Sequence, residues 1–202
     1  HVLAMLFSFC KNIHLSHQIT TQGQWKRPLG RDLYGKKIGI VGLGAIGMEL
    51  AKRTPLLGLE TYVFDLKVDR AFVEEFELKE ISSLEKMFQV CDIISLHIPL
   101  VKSTKGLISR KLLMSQNTKR GLILINTSRA GIISEQDIVE ALNQEVLGGY
   151  LTDVLEIEPI SQNCVLKNRN GVLITPHIGS RTIETIERQG LKAVENLINL
   201  SC

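Results

Sequence analysis

The 202-residue chain carries 24 Lys and Arg against 21 Asp and Glu, which gives a formal net charge of +3. A surplus this small, dispersed along the chain, excludes a nucleic-acid-binding or membrane-binding surface. The composition, with 44% hydrophobic and 22% charged residues, is that of a globular chain and excludes a disordered tail.

Neither the opening apolar stretch nor the cysteines indicate a membrane or an oxidising compartment. Val2–Cys10 is far shorter than the roughly 20 residues that a bilayer requires, and no basic region precedes it as in a signal peptide. The cysteines are scattered without a C-x-x-C pair, at Cys10, Cys91, Cys164 and Cys202. This pattern predicts neither a metal site nor a disulfide framework, and it favours a reducing cytosol.

The first predicted element is an amphipathic helix over about residues 1–20. Its apolar residues follow the i, i+3, i+4 spacing of one helical face: Val2, Met5, Leu6, Phe9 and Ile13. His14 and His17 fall on the same predicted helix, and no neighbouring residue type suggests a site for them.

Short β-branched runs then alternate with helical patterns. Several of these runs are almost continuously apolar, as expected for strands that helices cover on both faces. Since parallel neighbours need crossover connections, the alternation predicts an α/β fold with a doubly wound parallel sheet. The predicted strands are Lys37–Val41, Glu60–Phe64, Asp92–Leu96, Gly121–Ile125, Leu147–Asp153 and Gly171–Thr175.

Capping patterns and a final periodic segment complete the predicted helices. Ser82 with Glu85, and Ser134 with Asp137, resemble capping boxes. A last helix over about 182–200 places on one face Ile183, Ile186, Gly190, Ala193, Val194 and Leu197. We therefore expect one domain, 1–202, whose terminal helices, about 1–20 and 182–200, either cap the sheet or connect to a further part of a protein.

A G-x-G-x-x-G pattern at Gly42, Gly44 and Gly47 follows the first predicted strand and opens a predicted helix from Met48. Each glycine has a mechanical reason: the first permits a tight turn, the second lets the backbone approach a pyrophosphate, and the third allows close packing of helix on strand. The helix N-terminus then offers unpaired N–H groups to the anion. In this context the pattern predicts a dinucleotide-binding turn.

Asp65 closes the next predicted strand, at about the 20-residue distance from the turn where a dinucleotide fold places an acid. A carboxylate there accepts hydrogen bonds from a ribose 2′-hydroxyl and repels a 2′-phosphate, so NAD is favoured over NADP. The alternative is an incidental acid after a glycine-rich turn.

Charged residues also follow three later strands, at the edge where open α/β sheets bind ligands. Arg129 offers a planar fork suited to a carboxylate. His177 can exchange a proton near neutral pH, and a nearby Glu158 would stabilise its charged form. Together they predict acid/base chemistry on an anionic substrate. Taken singly, each residue also has a plainer interpretation: Arg129 as a surface charge, His177 as a turn residue and Glu158 as the cap of a turn.

The order of these motifs resembles that of the D-isomer-specific 2-hydroxyacid dehydrogenases, which include phosphoglycerate, glycerate, glyoxylate and formate dehydrogenases. The resemblance covers nearly the whole chain. It rests on the arm Gly23–Trp25 and on Gly42–Gly47, Leu96–Leu100, Asn126–Gly131, Glu158–Pro159 and His177–Ser180.

The resemblance implies a role for each of these residues in an NAD-dependent reaction of a 2-oxo or 2-hydroxy acid. Arg129 would bind the carboxylate, His177 would exchange the hydroxyl proton, and Glu158 would pair with His177. Asp153 would face the nicotinamide. The cofactor cleft would be lined by Ala45, Ile46, Ile98, Pro99, Thr127, Ser128, Gly179 and Ser180, beside Arg129 and His177, while His97 would be structural or cleft-lining.

The resemblance also implies that substrate selection lies in a further, N-terminal substrate-binding portion with no counterpart in these residues. On that expectation the chain is the cofactor domain of a larger enzyme. Two alternatives are an NAD(H)-sensing scaffold like the transcriptional corepressors that resemble this family, and an inactive fragment that only dimerises. The substrate side group cannot be identified from these residues.

A homodimer is the expected assembly. The apolar face of the opening helix, at Met5, Leu6 and Phe9, together with the arm around Trp25, needs cover that one sheet would not supply. In the resembling family this region corresponds to the subunit contact.

Overall fold

The computed structural model describes residues 1–200, so Cys202 lies outside the described residues. Across this range the chain forms a seven-stranded parallel sheet in the order β3-β2-β1-β4-β5-β6-β7. The strands are β1 Lys37–Val41, β2 Glu60–Phe64, β3 Lys79–Glu80, β4 Ile93–Leu96, β5 Leu122–Asn126, β6 Leu147–Thr152 and β7 Val172–Ile174. The predicted doubly wound parallel sheet is confirmed.

Helices cover both faces of this sheet. They are α1 Val2–Cys10, α2 Ile13–Thr21, α3 Ala45–Ala51, α4 Arg70–Glu75, α5 Leu84–Val90, α6 Arg110–Leu113, α7 Glu135–Asn143 and α8 Ile183–Leu200. Short 3-10 turns lie at Pro55–Leu57 and Ala130–Ile132. The buried core forms two clusters, one on each face, and the apolar strands supply side chains to both.

The strand order reverses between β1 and β4, which are hydrogen-bonded neighbours. The chain runs from β1 outward to β2 and β3, then returns to build β4 to β7 on the other side. Every strand in the order ends at the same edge because all the pairings are parallel. This edge is where an open α/β sheet binds its ligand.

The opening segment is two helices rather than the single predicted helix. Asn12 stands between α1 and α2 with a left-handed backbone, φ 52°, and its amide Nδ2 donates to the Leu29 carbonyl at 2.9 Å. Asparagine is among the few residues that adopt this conformation readily, so it ends α1 and redirects the chain. His14 and His17 consequently lie on α2, not on the first helix.

The apolar face of α1 is covered by the chain's own sheet. Met5 and Leu6 are buried, and Leu6 is 0% exposed. They pack in one cluster with Ile125 of β5 and Leu151 of β6. The reasoning that this face needs cover from a second subunit was therefore wrong for Met5 and Leu6, because the sheet extends far enough to bury them.

Several boundaries differ from the predicted ones by one to a few residues. Ser83, not Ser82, caps α5, and its hydroxyl accepts the Lys86 N–H at 3.2 Å. Ser134 caps α7 as predicted, accepting the Gln136 N–H at 3.2 Å. The helix after the glycine turn begins at Ala45 rather than Met48. β3, α4 and α6 have no periodic pattern in the sequence, because each is too short to show one.

The final helix, α8, has the predicted amphipathic pattern but leaves its apolar side exposed. Ile183 is 75% exposed and Val194 is 57% exposed. This face therefore does not serve to cover the sheet within the described residues. The idea that α8 connects to a further part of a protein stays a prediction.

The cysteines in the described range are free thiols at Cys10, Cys91 and Cys164. Cys10 and Cys91 are buried, and burial raises the pKa of the Cys91 thiol to about 12. Such a thiol stays protonated and unreactive near neutral pH. As far as residues 1–200 extend, no helix has both the length and the apolar character needed to cross a bilayer.

Candidate active site

The glycine turn between β1 and α3 has the geometry that each of its glycines predicts. Gly42 has φ +96°, a conformation that side chains disfavour. A Cβ atom on Gly47 would lie 1.9 Å from the Gly42 carbonyl oxygen, so helix and turn can pack this closely only without a side chain. Gly44 is different, because nothing lies within 4 Å of its Cβ position. The turn therefore keeps an open surface at Gly44, beside the first residue of α3, Ala45.

Asp65 lies next to this turn at the end of β2. Its Oδ2 accepts the Leu43 N–H at 2.6 Å, and its Oδ1 accepts the Lys67 N–H at 3.0 Å. These bonds fix the carboxylate beside the open Gly44 surface, and each oxygen keeps acceptor capacity for a hydroxyl. An open glycine surface, a helix start without a side-chain cap and an adjacent acid fit the pyrophosphate and ribose of NAD.

A cleft of about 370 Å³ continues from the turn along the sheet edge. It brings together Ile46 of α3, the loop after β4 and the loop after β5, and its lining includes six of the predicted cofactor residues. The lining residues are Ile46, His97, Ile98, Pro99, Leu100, Thr127, Ser128 and Arg129.

His97 lies in this cleft as a neutral residue. Burial lowers the pKa of His97 to about 4, so the ring is uncharged near neutral pH. Its Nε2 lies 2.8 Å from the hydroxyl of Ser95, which is itself buried. This geometry agrees with a structural or cleft-lining role and does not suit His97 to proton transfer near pH 7.

Arg129 follows β5 on a turn that Asn126 shapes. The buried Asn126 amide donates to the Arg129 carbonyl at 3.0 Å, and its Oδ1 accepts the Ser128 N–H at 3.1 Å. The Arg129 side chain is exposed, and its Nη1 donates to the Ser128 carbonyl at 2.7 Å. Sequence reasoning assigned Asn126 no role. The available signal was a polar residue at the end of an otherwise apolar strand.

Glu158 and His177 form a hydrogen-bonded pair. His177 Nδ1 lies 2.8 Å from Glu158 Oε2, and Glu158 Oε1 accepts the Leu155 N–H at 2.9 Å. The pKa of Glu158 lies below its ordinary value, mainly because of the hydrogen bond with His177 and secondly because of the hydrogen bond from the Leu155 N–H. Glu158 is therefore a carboxylate near neutral pH. Since Nδ1 is engaged, Nε2 is the ring atom left to exchange a proton with a ligand.

A second cavity, of about 680 Å³, has this pair in its wall. Its other walls come from the loop after β6 and from β7 with the loop that follows. Besides Glu158 and His177, the lining is Asp153, Leu155, Pro159, Ile160, Ile174, Thr175 and Pro176. A largely apolar cavity beside an acid/base pair is typical of a small-molecule site.

Asp153 directly follows β6 and is buried, with 2% of its surface exposed. It accepts hydrogen bonds from the backbone of Ile178 and Gly179, in the loop that carries His177. Ser180 follows in the same loop and is exposed. The contact of Asp153 with the nicotinamide, and those of Gly179 and Ser180 with the cofactor, stay predictions.

The sheet order explains how residues distant in sequence reach the same edge of the sheet. Arg129 follows β5, Asp153 follows β6 and His177 follows β7, and these three strands are neighbours. Among residues 1–200, no hydrogen bond or ion pair joins Arg129 to Glu158 or His177, so the guanidinium is available to an anion. The same residues contain no cluster of three or more His, Cys, Asp or Glu arranged to hold a metal ion.

Comparison with known proteins gives a consistent result. The statistical model of the family described as "D-isomer specific 2-hydroxyacid dehydrogenase, NAD binding domain" matches residues 3–179. A D-3-phosphoglycerate dehydrogenase of Bacillus subtilis is 38% identical over 190 residues, which are 91% of this chain and 35% of that protein. An (S)-sulfolactate dehydrogenase of Chromohalobacter salexigens is 34% identical, over 98% of this chain and 64% of that protein.

The fold matches solved structures equally well. The apo-structure of D-lactate dehydrogenase from Escherichia coli superposes with a TM-score of 0.89 at 28% identity, over 100% of this chain and 63% of that one. The chain thus spans less than two thirds of the length of each of these three relatives.

We predict that Gly44→Val weakens NADH binding at least about tenfold without unfolding the chain, because the added side chain fills the open surface of the turn. Fluorescence titration with NADH measures the affinity, and thermal unfolding checks the fold. Gly190→Val, also at a glycine with open space at Cβ but on α8, is the matched control and should bind NADH normally. Unchanged affinity in a folded Gly44→Val variant would contradict the assignment.

We predict that His177→Ala raises the pKa of Glu158 towards its ordinary value, because the largest interaction that lowers it is lost. Carbon-13 NMR of the Glu158 carboxyl group measures this pKa. A depressed carboxyl pKa stabilises the fold above the ordinary pKa, and this contribution is lost as the pH falls through the depressed one. The parent's advantage in unfolding free energy over His177→Ala should therefore shrink in acid. A Glu158 pKa that does not move contradicts the pairing.

Proposed function

The chain belongs to the D-isomer-specific 2-hydroxyacid dehydrogenase family through its NAD-binding domain, and from this we propose that it serves the reversible reduction of a small 2-oxo acid to a D-2-hydroxy acid. The observation that carries the proposal is the Glu158–His177 pair, on the same sheet edge as Arg129 and the glycine turn. That edge thus offers an anion-binding cation and a proton-exchanging ring beside the cofactor site.

The open surface at Gly44 supports a cofactor site at this turn. The turn and the start of α3 would hold the pyrophosphate, and Asp65 would accept the ribose hydroxyls. When bound, NADH supplies a hydride to the carbonyl carbon of the 2-oxo acid. Thr127, Ser128, Ile98 and Pro99, from the loops after β5 and β4, would line the cleft towards the nicotinamide.

Arg129 would bind the substrate carboxylate. Its exposed guanidinium has further donors beyond the one bonded to Ser128, and two parallel N–H groups match the two oxygens of a carboxylate. Binding in this mode fixes the carbonyl group in one orientation, which lowers the entropic cost of reaching the reactive geometry. Lysine would supply the charge without the planar fork.

His177 would donate the proton that completes the reduction. As the carbonyl carbon is reduced, negative charge develops on the oxygen, and protonated His177 transfers its Nε2 proton to give the hydroxyl group. Glu158 accepts from Nδ1 and is ionised, so it stabilises the charged ring and orients Nε2 towards the substrate. In the oxidative direction the neutral ring takes the proton back.

Substrate identity within this class follows from parts of the site beyond these groups. The three relatives are named for phosphoglycerate, sulfolactate and lactate, which share a 2-hydroxy acid group and differ in the side group. We propose that turnover requires a substrate-binding segment of the kind that makes up the relatives' additional length. Nothing in the names of these relatives favours the corepressor alternative.

We also propose that the protein forms homodimers through the whole segment between α2 and β1, residues 22–36, which extends the arm around Trp25. With the α1 face covered, the proposal depends on the arm, where Trp25 is 80%, Leu29 is 96% and Tyr34 is 79% exposed. Large apolar side chains this exposed on one segment are typical of a subunit contact. A cytosolic location is likewise a proposal, supported by the free thiols of Cys10, Cys91 and Cys164.

We predict that NADH oxidation with a panel of 2-oxo acids occurs when the chain is joined to the substrate-binding segment of the Bacillus subtilis relative. In that form His177→Ala should lower kcat by about 10²–10⁴-fold with NADH affinity kept, because a general acid is lost. Glu158→Gln should also lower kcat, because His177 loses the hydrogen-bond partner that orients its ring. Arg129→Lys should raise KM for the 2-oxo acid, because lysine lacks the planar fork that matches a carboxylate.

His14→Ala is the matched control, because it removes an exposed histidine of α2 that lies outside the site. It should leave the turnover unchanged. NADH binding without turnover of any 2-oxo acid, in a well-folded joined form, would favour the NAD-sensing alternative over the enzyme. A near-parental rate in His177→Ala would contradict the acid/base assignment.

We predict that sedimentation equilibrium at micromolar concentration shows a dimer, and that Trp25→Ser shifts it to monomer. Trp25 is the only tryptophan of the chain. Its emission should therefore shift to shorter wavelength as the concentration rises and the indole becomes buried. Leu66→Ser, which removes an exposed apolar residue outside the arm, should leave the dimer intact. A monomer at all concentrations contradicts the proposal.

A further inference from the structure

We propose that Asp153 is a positioning residue that holds the turn 175–179 in the conformation that directs His177 towards Glu158 and the substrate. The inference deepens the proposed function, because His177 acts as the acid/base only in that function. It concerns a contact within the chain, and is separate from the expectation that Asp153 faces the nicotinamide.

The carboxylate of Asp153 binds the turn on both sides of His177. Oδ1 accepts the Ile178 N–H at 2.9 Å, and Oδ2 accepts the Gly179 N–H at 2.8 Å. Before the histidine, the Thr175 hydroxyl donates to Oδ1 at 2.5 Å. Three donors within five residues therefore converge on one carboxylate, with His177 between them.

His177 needs such support because of its backbone. Its φ is 54°, in the left-handed region that β-carbon sterics disfavour for residues other than glycine. Such a conformation persists only where the surroundings over-determine it. A rotation at His177 towards an ordinary φ would move the Ile178 and Gly179 N–H groups away from Asp153.

Asp153 is itself fixed by the sheet. It follows β6, and its own N–H donates to the Asn126 carbonyl at the end of β5, at 3.1 Å. The carboxylate is 2% exposed. His1 Nε2 lies 3.3 Å from Oδ1 and 3.0 Å from the Thr175 hydroxyl, which adds a contact from the segment before α1. The turn is thus attached to two buried strands of the sheet, β5 and β6.

The chemistry of the side chain explains why it is a carboxylate. Each oxygen of Asp153 accepts a backbone N–H, so both oxygens are needed as acceptors. An asparagine would keep one carbonyl oxygen and would place an NH₂ group against the other N–H. Asp153→Asn therefore breaks one of the two backbone contacts with almost no change in volume.

The experiment uses the full chain without cofactor or substrate. Amide hydrogen exchange of Ile178 and Gly179, and the imidazole nitrogen-15 spectrum of His177, are compared between the parent and Asp153→Asn. We expect exchange at one or both amides to become at least about tenfold faster, because the hydrogen bonds that protect them are lost. The ring spectrum should shift towards that of Glu158→Gln, because the ring leaves its partner.

Asp92→Asn is the matched control. Asp92 also accepts a backbone N–H, from Lys37 at 3.0 Å, and pairs with Lys119 at 2.9 Å, but it precedes β4 and so lies at the opposite edge of the sheet. Asp92→Asn makes the same carboxyl-to-amide change. It should leave unchanged both the amide exchange of Ile178 and Gly179 and the ring spectrum of His177. Should Asp153→Asn not fold, Thr175→Val removes a single donor and should shift the same two signals in the same direction by a smaller amount.

The outcomes separate this inference from the proposed function. Unchanged amide exchange and an unchanged His177 spectrum in folded Asp153→Asn overturn the positioning role, even if that variant binds NADH more weakly. The exchange rates and the ring spectrum can differ as expected between the parent and Asp153→Asn while the joined form shows no turnover. That result leaves the positioning role in place and contradicts the proposed enzyme activity.

Discussion

The common direction of the strands is the constraint on which the site depends. Because β1, β2, β4, β5, β6 and β7 pair in parallel, each one delivers its following loop to one edge of the sheet. The glycine turn, the Arg129 turn and the His177 turn thereby come together from distant parts of the sequence. Reversing any one of these strands would move its loop to the opposite edge, and burial on both faces opposes such a reversal.

The two carboxylates next to His177 differ in role because they differ in burial. Glu158 is partly exposed and contacts the ring, so its charge acts on the group that we propose exchanges the proton. Asp153 is buried and contacts backbone N–H groups, so its charge is used to hold a turn. One acid thus orients a side chain, and the other supports the backbone from which that side chain extends.

At the cofactor side of the sheet edge, the turn between β1 and α3 depends on glycines, which have no side chain. Gly42 and Gly47 are required by the packing of the turn against itself, whereas Gly44 leaves a surface free for a ligand. The same pattern of three glycines therefore combines a structural demand at two positions with an open surface at the third, where we propose that the cofactor binds. Asp65 joins both, because it binds the turn through the Leu43 N–H and keeps acceptor capacity for the ribose.

The sequence by itself determined the parallel α/β class, the glycine turn, Asp65 and the residues proposed for the chemistry, since hydrophobic periodicity and local motifs encode these. Tertiary structure decided the break at Asn12, the burial of Met5 and Leu6, and the contacts of Asn126 and Asp153. The break depends on one backbone angle, and the burial depends on how far the sheet extends. The Asn126 and Asp153 contacts depend on turn geometry and on β6 and β7 lying side by side. No pattern along the chain records the burial of Met5 and Leu6 or the Asp153 contacts, because they arise only when segments distant in sequence become neighbours in space.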